Sequence, residues 1–400
     1  MEKVIDDAKY VRHAVLRRGP MVFEPAITDC YDGKLGNVPD GGRSYVLRRL
    51  AGTQPGDVYR VGHSYWSVAC DLIEHFRRTD TSCARPEDLV VSDDFGAAVR
   101  KYQNLPADFF MFDQQANMLR PDEQRLQETM RNESKVAFAK TWADSRGLMP
   151  DTVVCRRGEE LDPGHAWHRV ACQPGRVKAD FTASGNGNEE FATYERLEHI
   201  LQQQKWVDGG YVVQRDVGNF EASLTYYLDE TGVYFLFSTR QDMAGPCHMG
   251  NWVAPDLAPL LRERTDQMAL AAWRNGARGY WGYDLMVTSD EGQAWVIECN
   301  ARITGPAYGW ILALKHNAPM WRIKNLKDLK GSTISDVIPP ELEFNPSRGS
   351  GVICTNPGPI KGERATTVTV LGRCAQEVDD LLQAVTDHAV EHSAEDAEAA

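Results

Sequence analysis

The chain has 400 residues, of which 42% are hydrophobic and 25% are charged, as in ordinary soluble globular proteins. Its length suffices for two or three domains with sizeable cores. The formal net charge of −13 argues against a broad nucleic-acid-binding surface, because such a surface needs clustered positive charge.

The nine cysteines predict neither a zinc site nor a disulfide framework, since no two of them have C-x-x-C spacing. Their number is odd, so we expect reduced thiols and a cytoplasmic location. The N-terminal segment MEKVIDDAKYVRHAV contains acidic residues and lacks the apolar core of a signal peptide. No apolar run approaches the ~20 residues that span a membrane, so we expect no membrane partner.

Residues 1–118 alternate short helical and strand-like segments, which predicts a small α/β domain. YVLRRLAG and SVACDLIEHFRR are typical of helices, whereas DLVVSDDF and ADFFMFD are typical of short buried strands. The segment YDGKLGNVPDGGRSY is rich in glycine and proline. We interpret it as a connection and leave a functional loop open.

The middle of the chain predicts helices and strands in alternation. Residues 121–147 are rich in helix formers and predict one long helix that ends at Gly147. The strand-like segments RVKADF and GYVVQRDV then flank a glycine-containing loop, TASGNGN, and a helix, FATYERLEHILQQQK. FEASLTYYLDETGVYFLFST predicts a β-hairpin, because alternating β-formers surround a turn.

Residues 238–255, STRQDMAGPCHMGNWVAP, follow this hairpin, and a helix ending at Gly276 comes next. GYDLMVTSDEGQAWVIECNAR (282–302) predicts a second hairpin. SGVICTNPG and ATTVTVLG are strand-like, and AQEVDDLLQAV is helical. We expect the acidic end, DHAVEHSAEDAEAA, to be solvated or disordered.

The second hairpin has a polar face that can bind a metal ion. Glu298, Asn300 and Arg302 alternate along one strand and therefore point the same way, with Asp284 on the partner strand. Two carboxylates and an amide oxygen suit Mg²⁺, with Mn²⁺ as an alternative, and Arg302 could bind a phosphate or carboxylate. A solvated strand face explains the same alternation, so these residues alone leave both interpretations open.

The order of several segments resembles the ATP-grasp carboxylate–amine ligases over about residues 120–315. Gly279, Gly282 and Asp284, an acidic turn and then IECNAR resemble the metal-binding end of that family. NESKVAFAKTWADSRGLMPDT resembles its lysine-bearing helix, and RVKADFTASGNGN resembles its strand lysine and flexible phosphate loop. YVVQRDVGNFEASL resembles its adenine hinge strand.

This resemblance implies a nucleotide site. It assigns phosphate contacts to Lys135, Lys178, Ser184, Gly185 and Gly187, adenine contacts to Gln214, Arg215 and Val217, and a ribose contact to Glu221. Many family members have glutamate where this chain has Gln214. Lys140 is an alternative to Lys135 on the same helix, and a plain hairpin with a surface lysine is the alternative at Lys178.

Residues 238–255 resemble the substrate-side loop of peptide-forming ligases, which implies substrate contacts from Gln241, His248, Asn251 and Arg302. A metal-ligand or nucleophile role for His248 and Cys247 is disfavoured, because the implied chemistry needs no enzyme nucleophile. In the N-terminal third, three arginines are candidates for binding a substrate carboxylate: Arg43, Arg48 and Arg49.

The fold implied is an α/β ATP-grasp fold. It would comprise an N-terminal α/β domain (1–118), two β-rich lobes around ATP (119–212 and 213–330) and a small C-terminal β extension (331–400). The implied activity joins a small-molecule carboxylate to an amine through an acyl phosphate, with release of ADP and phosphate and with Lys178 and Arg302 as catalytic cations.

Within that activity we favour an amino-acid or peptide ligase of secondary metabolism. A phosphotransferase on the same scaffold and a non-catalytic nucleotide-binding protein are the alternatives. We expect small-molecule partners and no nucleic acid, and we leave a homodimer open.

Overall fold

The computed structural model describes residues 3–6, 11, 19–25, 45–143, 145, 147–181, 187–203, 209–244, 247–288, 292–326, 333–357 and 366–398. The strands in this part of the chain form three sheets. None of its helices combines the length and the apolar character needed to cross a bilayer. The glycine-rich segment 31–44 and the acidic turn 289–291 lie outside the described residues.

The N-terminal domain contains the parallel sheet that alternating helices and strands predict. Its strands, in spatial order β3-β2-β1-β4, are β1 Val22–Glu24, β2 Val58–Val61, β3 Leu89–Val91 and β4 Ala107–Phe109. Its helices are α1 Trp66–Arg78, α2 Ala97–Lys101 and α3 Gln114–Leu119, with 3-10 helices at Tyr45–Gly52, His63–Tyr65 and Pro86–Asp88. The sequence did not indicate β1 and β2, because each contains a buried charge: Arg60 Nε lies 2.5 Å from Glu24 Oε1.

The single helix predicted over residues 121–147 is wrong. Two helices occupy this region, α4 Glu123–Glu133 and α5 Lys135–Trp142, and Ser134 separates them with an extended backbone. The Ser134 hydroxyl accepts the Ala137 backbone N–H at 3.0 Å and donates to Asp180 at 3.0 Å. The side chain therefore caps α5, which is the usual role of serine at a helix start.

A four-stranded antiparallel sheet follows, in the order β5-β8-β6-β7. Its strands are β5 Thr152–Cys155, β6 Gly175–Ala179, β7 Asn188–Phe191 and β8 Tyr211–Arg215. Helices α6 Pro163–Arg169 and α7 Tyr194–Gln202 contribute Ala166, Leu197 and Ile200 to a small apolar core with this sheet. We call this unit the small lobe.

The largest sheet has eight antiparallel strands in the order β13-β12-β9-β10-β11-β14-β16-β15. These strands are β9 Phe220–Leu228, β10 Val233–Ala244, β11 Cys247–Val253, β12 Gly279–Val287, β13 Ala294–Asn300, β14 Met320–Leu326, β15 Gly351–Asn356 and β16 Thr366–Gly372. Its helices are α8 Ala258–Arg274, preceded by a 3-10 helix at Pro255–Leu257, α9 Gly305–His316, α10 Ile334–Val337 and α11 Ala375–Glu398.

Helices α8 and α9 cover opposite faces of the largest sheet. Tyr226 in β9 hydrogen-bonds Thr265 of α8, and Phe237 in β10 stacks on Trp310 of α9. Phe237 pairs with Thr225, the neighbour of Tyr226, and neighbouring strand residues point to opposite faces.

The C-terminal strands β15 and β16 extend the largest sheet through β14. Helix α11 continues to Glu398, so of the two expectations for the acidic end, solvated or disordered, the disordered one is wrong. The segment is rich in alanine and glutamate, which have high helix propensity, and this explains why a polar sequence still forms a helix.

Candidate active site

Two carboxylates face each other near one edge of the largest sheet. The pairing of β12 with β13 places Asp284 directly opposite Glu298. Burial, together with the negative charge of Glu298, raises the pKa of Asp284 to about 7. Burial also acts to raise the pKa of Glu298, but nearby cations outweigh it and lower that pKa to about 2. These cations are Lys135, Lys178 and Arg302.

Neutral side chains hold Asp284 in place. Ser223 donates a short hydrogen bond to Asp284, and Gln241 donates to the same carboxylate at 2.9 Å and to the Ser223 hydroxyl at 2.7 Å. Asn300 donates from Nδ2 to Asp284 Oδ2 at 2.8 Å. These donors stabilise the carboxylate without cancelling its charge.

Two lysines reach the carboxylate pair from different elements. Lys135, the first residue of α5, places Nζ 3.5 Å from Glu298 Oε2. Lys178 in β6 is 3% exposed and donates to Gln214 Oε1 at 2.9 Å. Burial lowers the pKa of Lys178, and the charge of Glu298 acts against that shift. Lys140, the alternative to Lys135, is exposed.

Arg302 lies beside the carboxylates and is held by Glu133, the last residue of α4. Arg302 Nε lies 3.0 Å from Glu133 Oε1, and the other oxygen of Glu133 accepts the Ala301 backbone N–H at 2.7 Å. Phe110 packs over the Arg302 guanidinium, with the ring centroid 5.7 Å from Cζ. Glu133 was not a sequence candidate, although it stands two residues before Lys135.

The predicted hinge joins the small lobe to the largest sheet between β8 and β9. Gln214 is 3% exposed and donates to Thr152 at 3.1 Å while it accepts from Lys178. The Arg215 backbone N–H donates to the Asp151 carbonyl at 2.9 Å, so that donor is already used. Val217, the other predicted adenine contact, lies in the connection itself and is partly exposed.

The predicted ribose contact, Glu221, forms an ion pair. Arg176 Nη1 donates to Glu221 Oε1 at 2.7 Å. Burial acts to lower the pKa of Arg176, but the bond to Glu221 outweighs it and the pKa is raised. Arg176 was not a sequence candidate; it stands two residues before Lys178 in β6 and therefore shares its face, and that spacing was the available signal.

The segment predicted as a substrate-side loop is a hairpin instead. β10 and β11 pair through it, with Gln241 directly opposite Asn251. His248 Nε2 lies 2.7 Å from Asn251 Oδ1, and Asn251 donates to Thr239 at 3.1 Å. Of the three predicted substrate residues in this segment, Gln241 thus contacts Asp284, while His248 and Asn251 form a neighbouring pair.

The N-terminal arginines have different surroundings. Arg49 is 4% exposed, forms a short ion pair with Asp108 and stacks near Phe23 and Tyr280. Arg48 is partly exposed and donates to neutral side chains of β14 and β16. Two candidate phosphate-loop residues and one arginine lie outside the described residues: Ser184, Gly185 and Arg43. Gly187, the third loop candidate, is described and has a left-handed φ of 69°.

The donor set fits a hard divalent cation. Two carboxylates meet at one point, and the pKa of Asp284 shows that they repel each other there. Asn300 bonds Asp284 through its nitrogen, so its amide oxygen is the atom that would contact a cation. Carboxylate and amide oxygens are the ligands of Mg²⁺, and the flanking lysines and arginine suit the phosphates that usually accompany it.

No family model matches the sequence, and neither does any curated protein. The fold does match solved structures. N5-carboxyaminoimidazole synthetase from Staphylococcus aureus, complexed with ADP, superimposes with a TM-score of 0.57 at 12% identity, over 93% of this chain and 98% of that chain. N5-carboxyaminoimidazole ribonucleotide synthetase from Thermus thermophilus superimposes with a TM-score of 0.54 at 14% identity, over 91% of this chain and 97% of that chain.

A third match is the biotin carboxylase domain of 2-oxoglutarate carboxylase from Hydrogenobacter thermophilus, in complex with MgADP, ADP and bicarbonate. It gives a TM-score of 0.52 at 11% identity, over 91% of this chain and 89% of that chain. These structures have the ATP-grasp fold, so the chain has the ATP-grasp fold as well. At these sequence identities the similarity shows the fold alone. The reaction has to be inferred from the residues of the site.

Proposed function

We propose, on the premise of the ATP-grasp fold, that this chain is an ATP-dependent ligase that joins a carboxylate to an amine and releases ADP and phosphate. The observation that supports it best is the paired Asp284 and Glu298, surrounded by cations from three different elements. Such a cluster suits a metal ion with the phosphates of a nucleotide. The solved structures of the same fold that contain ADP or MgADP point the same way.

The reaction needs an activated acid, because a carboxylate has no good leaving group. In the proposed first step, a carboxylate oxygen of the acid attacks the γ-phosphorus of ATP, the bond to the β-phosphate oxygen breaks, and ADP leaves. In the second step, the amine attacks the acyl carbon, the bond to the phosphate oxygen breaks, and phosphate leaves with its electron pair. One proton is lost from the amine.

The residues have separate roles in this scheme. Asp284, Glu298 and Asn300 would hold Mg²⁺, which when bound acts as a Lewis acid that neutralises charge on the nucleotide phosphates. Lys135 and Lys178 would contact phosphate oxygens, because Lys135 lies beside Glu298 and the charge of Lys178 acts on the same carboxylate. Arg302 would stabilise the charge that develops during phosphoryl transfer.

The nucleotide would lie between the small lobe and the largest sheet. Val217 and its neighbours in the hinge would contact adenine. Glu221 would accept hydrogen bonds from ribose hydroxyls, in addition to or in place of its bond from Arg176. Gln214 would act indirectly, since it is buried and holds Lys178 in position. Ser184, Gly185 and Gly187 would contact the phosphates through backbone N–H groups.

An amino acid or a peptide is our first candidate for the acid, with Gln241, His248, Asn251 and Arg302 as its contacts. Bicarbonate is a second candidate, because one solved structure of the same fold contains this anion. The two differ in product: an amino acid gives an amide, and bicarbonate gives a carbamate.

The test offers purified protein with Mg²⁺ and ATP to pairs of acids and amines, and measures phosphate release and product mass. We expect ADP and phosphate to form only when acid and amine are both present. Glu298→Gln should lower the rate at least about a hundredfold, as expected when one electrostatic group of the transition state is removed. Glu87→Gln is the matched control, since Glu87 is exposed in the N-terminal domain and should leave the rate unchanged.

Formation of AMP in place of ADP would refute the acyl-phosphate route. A product that keeps the phosphate would support a phosphotransferase instead. An unchanged rate in Glu298→Gln would contradict the proposed site.

A further inference from the structure

An ion pair crosses from the small lobe to the largest sheet beside the predicted nucleotide site. Arg176 lies in β6 of the small lobe and Glu221 lies in β9 of the largest sheet. Nη1 of Arg176 donates to Glu221 Oε1 at 2.7 Å, and the two side chains are only 18% and 11% exposed. Because water screens a partly buried pair less than a surface pair, this contact can hold both side chains in place.

In the small lobe, Arg176 belongs to the face that contains the predicted phosphate lysine. It stands two positions before Lys178 in β6, so the two side chains point to the same face, about 7 Å apart along the strand. Its direct partner on β8 is Gln214, which lies near the end of the strand that leads into the hinge. Arg176 therefore lies between the hinge and Lys178.

Glu221 has the corresponding position in the largest sheet. Ser223 is directly opposite Asp284, and Glu221 precedes Ser223 by two positions, so all three side chains share a face. Burial and the charge of Glu298 raise the pKa of Asp284, and the charge of Glu221 acts in the same direction. Since the ribose joins the base to the phosphates in a nucleotide, a carboxylate between the hinge and Asp284 lies at the level of the ribose.

The carboxylate of Glu221 is oriented by Arg176 and still has room for other donors. Within the described part of the chain, Arg176 is its only hydrogen-bond partner, and the bond ends on Oε1. An ionised carboxylate has about four lone-pair sites, so those on Oε2 are left for a ligand. The charge-assisted bond to Oε1 fixes where Oε2 points.

Arg176 is itself held from the opposite side. Glu190 in β7 is directly opposite Arg176, and its Oε1 lies 3.5 Å from Arg176 Nη2. One guanidinium therefore contacts a carboxylate of each lobe through different nitrogen atoms. The planar shape of the group sets the angle between these two contacts, and this makes Arg176 a rigid link to Glu221.

We propose that Arg176 is a positioning residue, which orients Glu221 to accept hydrogen bonds from the 2′- and 3′-hydroxyls of the ribose. It would thereby make the site selective for ribonucleotides over deoxyribonucleotides. This inference rests on the proposed function, because it takes the nucleotide to bind between the two lobes. It also states that Arg176 and the ribose share Glu221 and do not compete for it.

The test compares the affinities of purified protein for MgADP and for the Mg²⁺ complex of 2′-deoxy-ADP, measured by titration calorimetry. The two ligands differ by a single hydroxyl group. We expect wild type to bind MgADP at least about tenfold more tightly, because the missing hydrogen bond ends on a charged acceptor. We call this ratio of affinities the ribose ratio.

Arg176→Met removes the link and should lower the ribose ratio to about twofold or less, because Glu221 is then no longer oriented. A purely structural effect would weaken both nucleotides equally and leave the ratio unchanged. Glu221→Gln should lower the ratio as well, and the double variant should lower it no further, since both residues act through one bond. Arg176→Gln gives the same measurement if Arg176→Met does not fold.

Arg196→Met is the matched control. Arg196 also lies in the small lobe and also pairs with a glutamate, since its Nη2 donates to Glu189 at 3.1 Å, but its side chain is 47% exposed. It should keep the ribose ratio of wild type. A ratio in Arg176→Met equal to that of wild type would overturn the proposal, and a higher ratio would show that Arg176 competes with the ribose.

A failure of this inference differs from a failure of the proposed function. Wild type that binds MgADP and its 2′-deoxy analogue equally would overturn the role of Arg176 and leave the ligase reaction in place. A ribose ratio that depends on Arg176, in a protein that joins no acid to any amine, would support this inference and contradict the ligase reaction. Wild type that binds neither nucleotide would contradict both.

Discussion

Asp284 and Glu298 lie opposite each other on paired strands, yet their pKa values move in opposite directions. Glu298 is the member that the cations surround, whereas Asp284 is held by neutral donors and feels the charge of Glu298. The pair consequently holds a proton near neutral pH when no cation is present. A divalent cation would have to displace that proton from Asp284.

This displacement predicts a pH-dependent metal affinity. With the pKa of Asp284 raised to about 7, the carboxylate is protonated below that pH and ionised above it. The affinity for Mn²⁺, measured by calorimetry without nucleotide, should therefore be about tenfold weaker at pH 6 than at pH 8 and should level off above neutrality. In Asp284→Asn the affinity should be weaker and independent of pH over this range. An equal wild-type affinity at pH 6 and pH 8 would contradict the prediction.

Glu133 offers a second prediction for a single residue, as the group that positions Arg302. Its two oxygens hold the Arg302 side chain and the Ala301 backbone N–H, and it is 4% exposed. Glu133→Gln keeps the size but removes the charge, so Arg302 should shift. We expect ATP turnover to fall about a hundredfold, the scale expected for a misplacement of about 1 Å, while the affinity for MgADP changes little.

The control for Glu133 is Glu128→Gln, five residues earlier in α4. Glu128 is equally buried, and its contacts are Asn132 and Arg131. It should change stability without changing turnover. If both variants lose turnover to the same extent, the role of Glu133 is structural and the positioning of Arg302 by Glu133 is refuted.

Motif order indicated the residues of the hairpin and the two lysine segments. The structure places Lys135 beside Glu298, and the charge of Lys178 also lowers the pKa of Glu298. Spacing from Lys178 could have indicated Arg176 as a residue of the same strand face, but the sequence could not indicate the contacts of Glu133 or Arg176. Their partners, Arg302 and Glu221, are remote in the chain, and such contacts depend on how the sheets pack. Periodicity within one element contains no information about that packing.

At the scale of elements, the break between α4 and α5 turns two nearly adjacent side chains towards the same part of the chain, the C-terminal end of β13. Glu133 ends α4 and holds Arg302, while Lys135 begins α5 and reaches Glu298. A continuous helix would rotate these side chains apart by about 200°, since each residue turns the helix by about 100°. The break at Ser134 is therefore what lets Lys135 reach β13 and Glu133 reach the two residues that directly follow it.

Ser134→Ala tests this arrangement. Loss of the helix cap should lower the free energy of unfolding by about 1 kcal/mol. The affinity for MgADP should also fall several-fold, because Lys135 directly follows the cap. Thr193→Ala is the control: Thr193 caps α7 by accepting the Arg196 N–H at 3.3 Å and is remote from the carboxylates in sequence. It should lower stability similarly and leave MgADP affinity unchanged, and equal losses of affinity in both variants would contradict the role of the break.

The sequence predicted one helix here because serine is a mild helix breaker that a window of good helix formers outweighs. The loop expected at residues 238–255 came from the resemblance to a substrate-side loop. In the structure β10 and β11 pair across this segment, and Gly250 packs against the β14 backbone. At both places tertiary contacts decide the backbone conformation.

At the scale of the whole molecule, contacts between distant parts of the chain hold the N-terminal domain against the C-terminal strands. His75 in α1 is 0% exposed; its Nδ1 lies 2.7 Å from Glu343 Oε1 and its Nε2 accepts the Cys354 backbone N–H at 2.9 Å. Arg78 pairs with the same glutamate at 2.9 Å. The α/β character of the N-terminal domain was predictable from alternating segments, whereas this docking was not.

His75 should be a determinant of stability, and its effect should depend on pH. Burial lowers its pKa, so below the ordinary value of 6.5 the unfolded chain binds a proton that the folded chain does not. The stabilisation that His75 contributes to wild type should therefore shrink between pH 7.5 and pH 5.5. Burial acts to raise the pKa of Glu343, but its bonds to His75 and Arg78 lower it to about 2, so this carboxylate stays ionised in the folded chain and adds little to the slope above pH 5.5.

His75→Ala should lower the free energy of unfolding by about 2–4 kcal/mol, because it leaves a cavity and an unpaired Cys354 N–H. The difference in stability between wild type and this variant should also be smaller at pH 5.5 than at pH 7.5, since the titrating group is present only in wild type. His63→Ala is the control, because the His63 side chain is 68% exposed and bonded only at the surface to Asp93. Denaturant titrations at the two pH values measure both effects, and a His75→Ala protein as stable as His63→Ala would show that docking of the two domains does not depend on this residue.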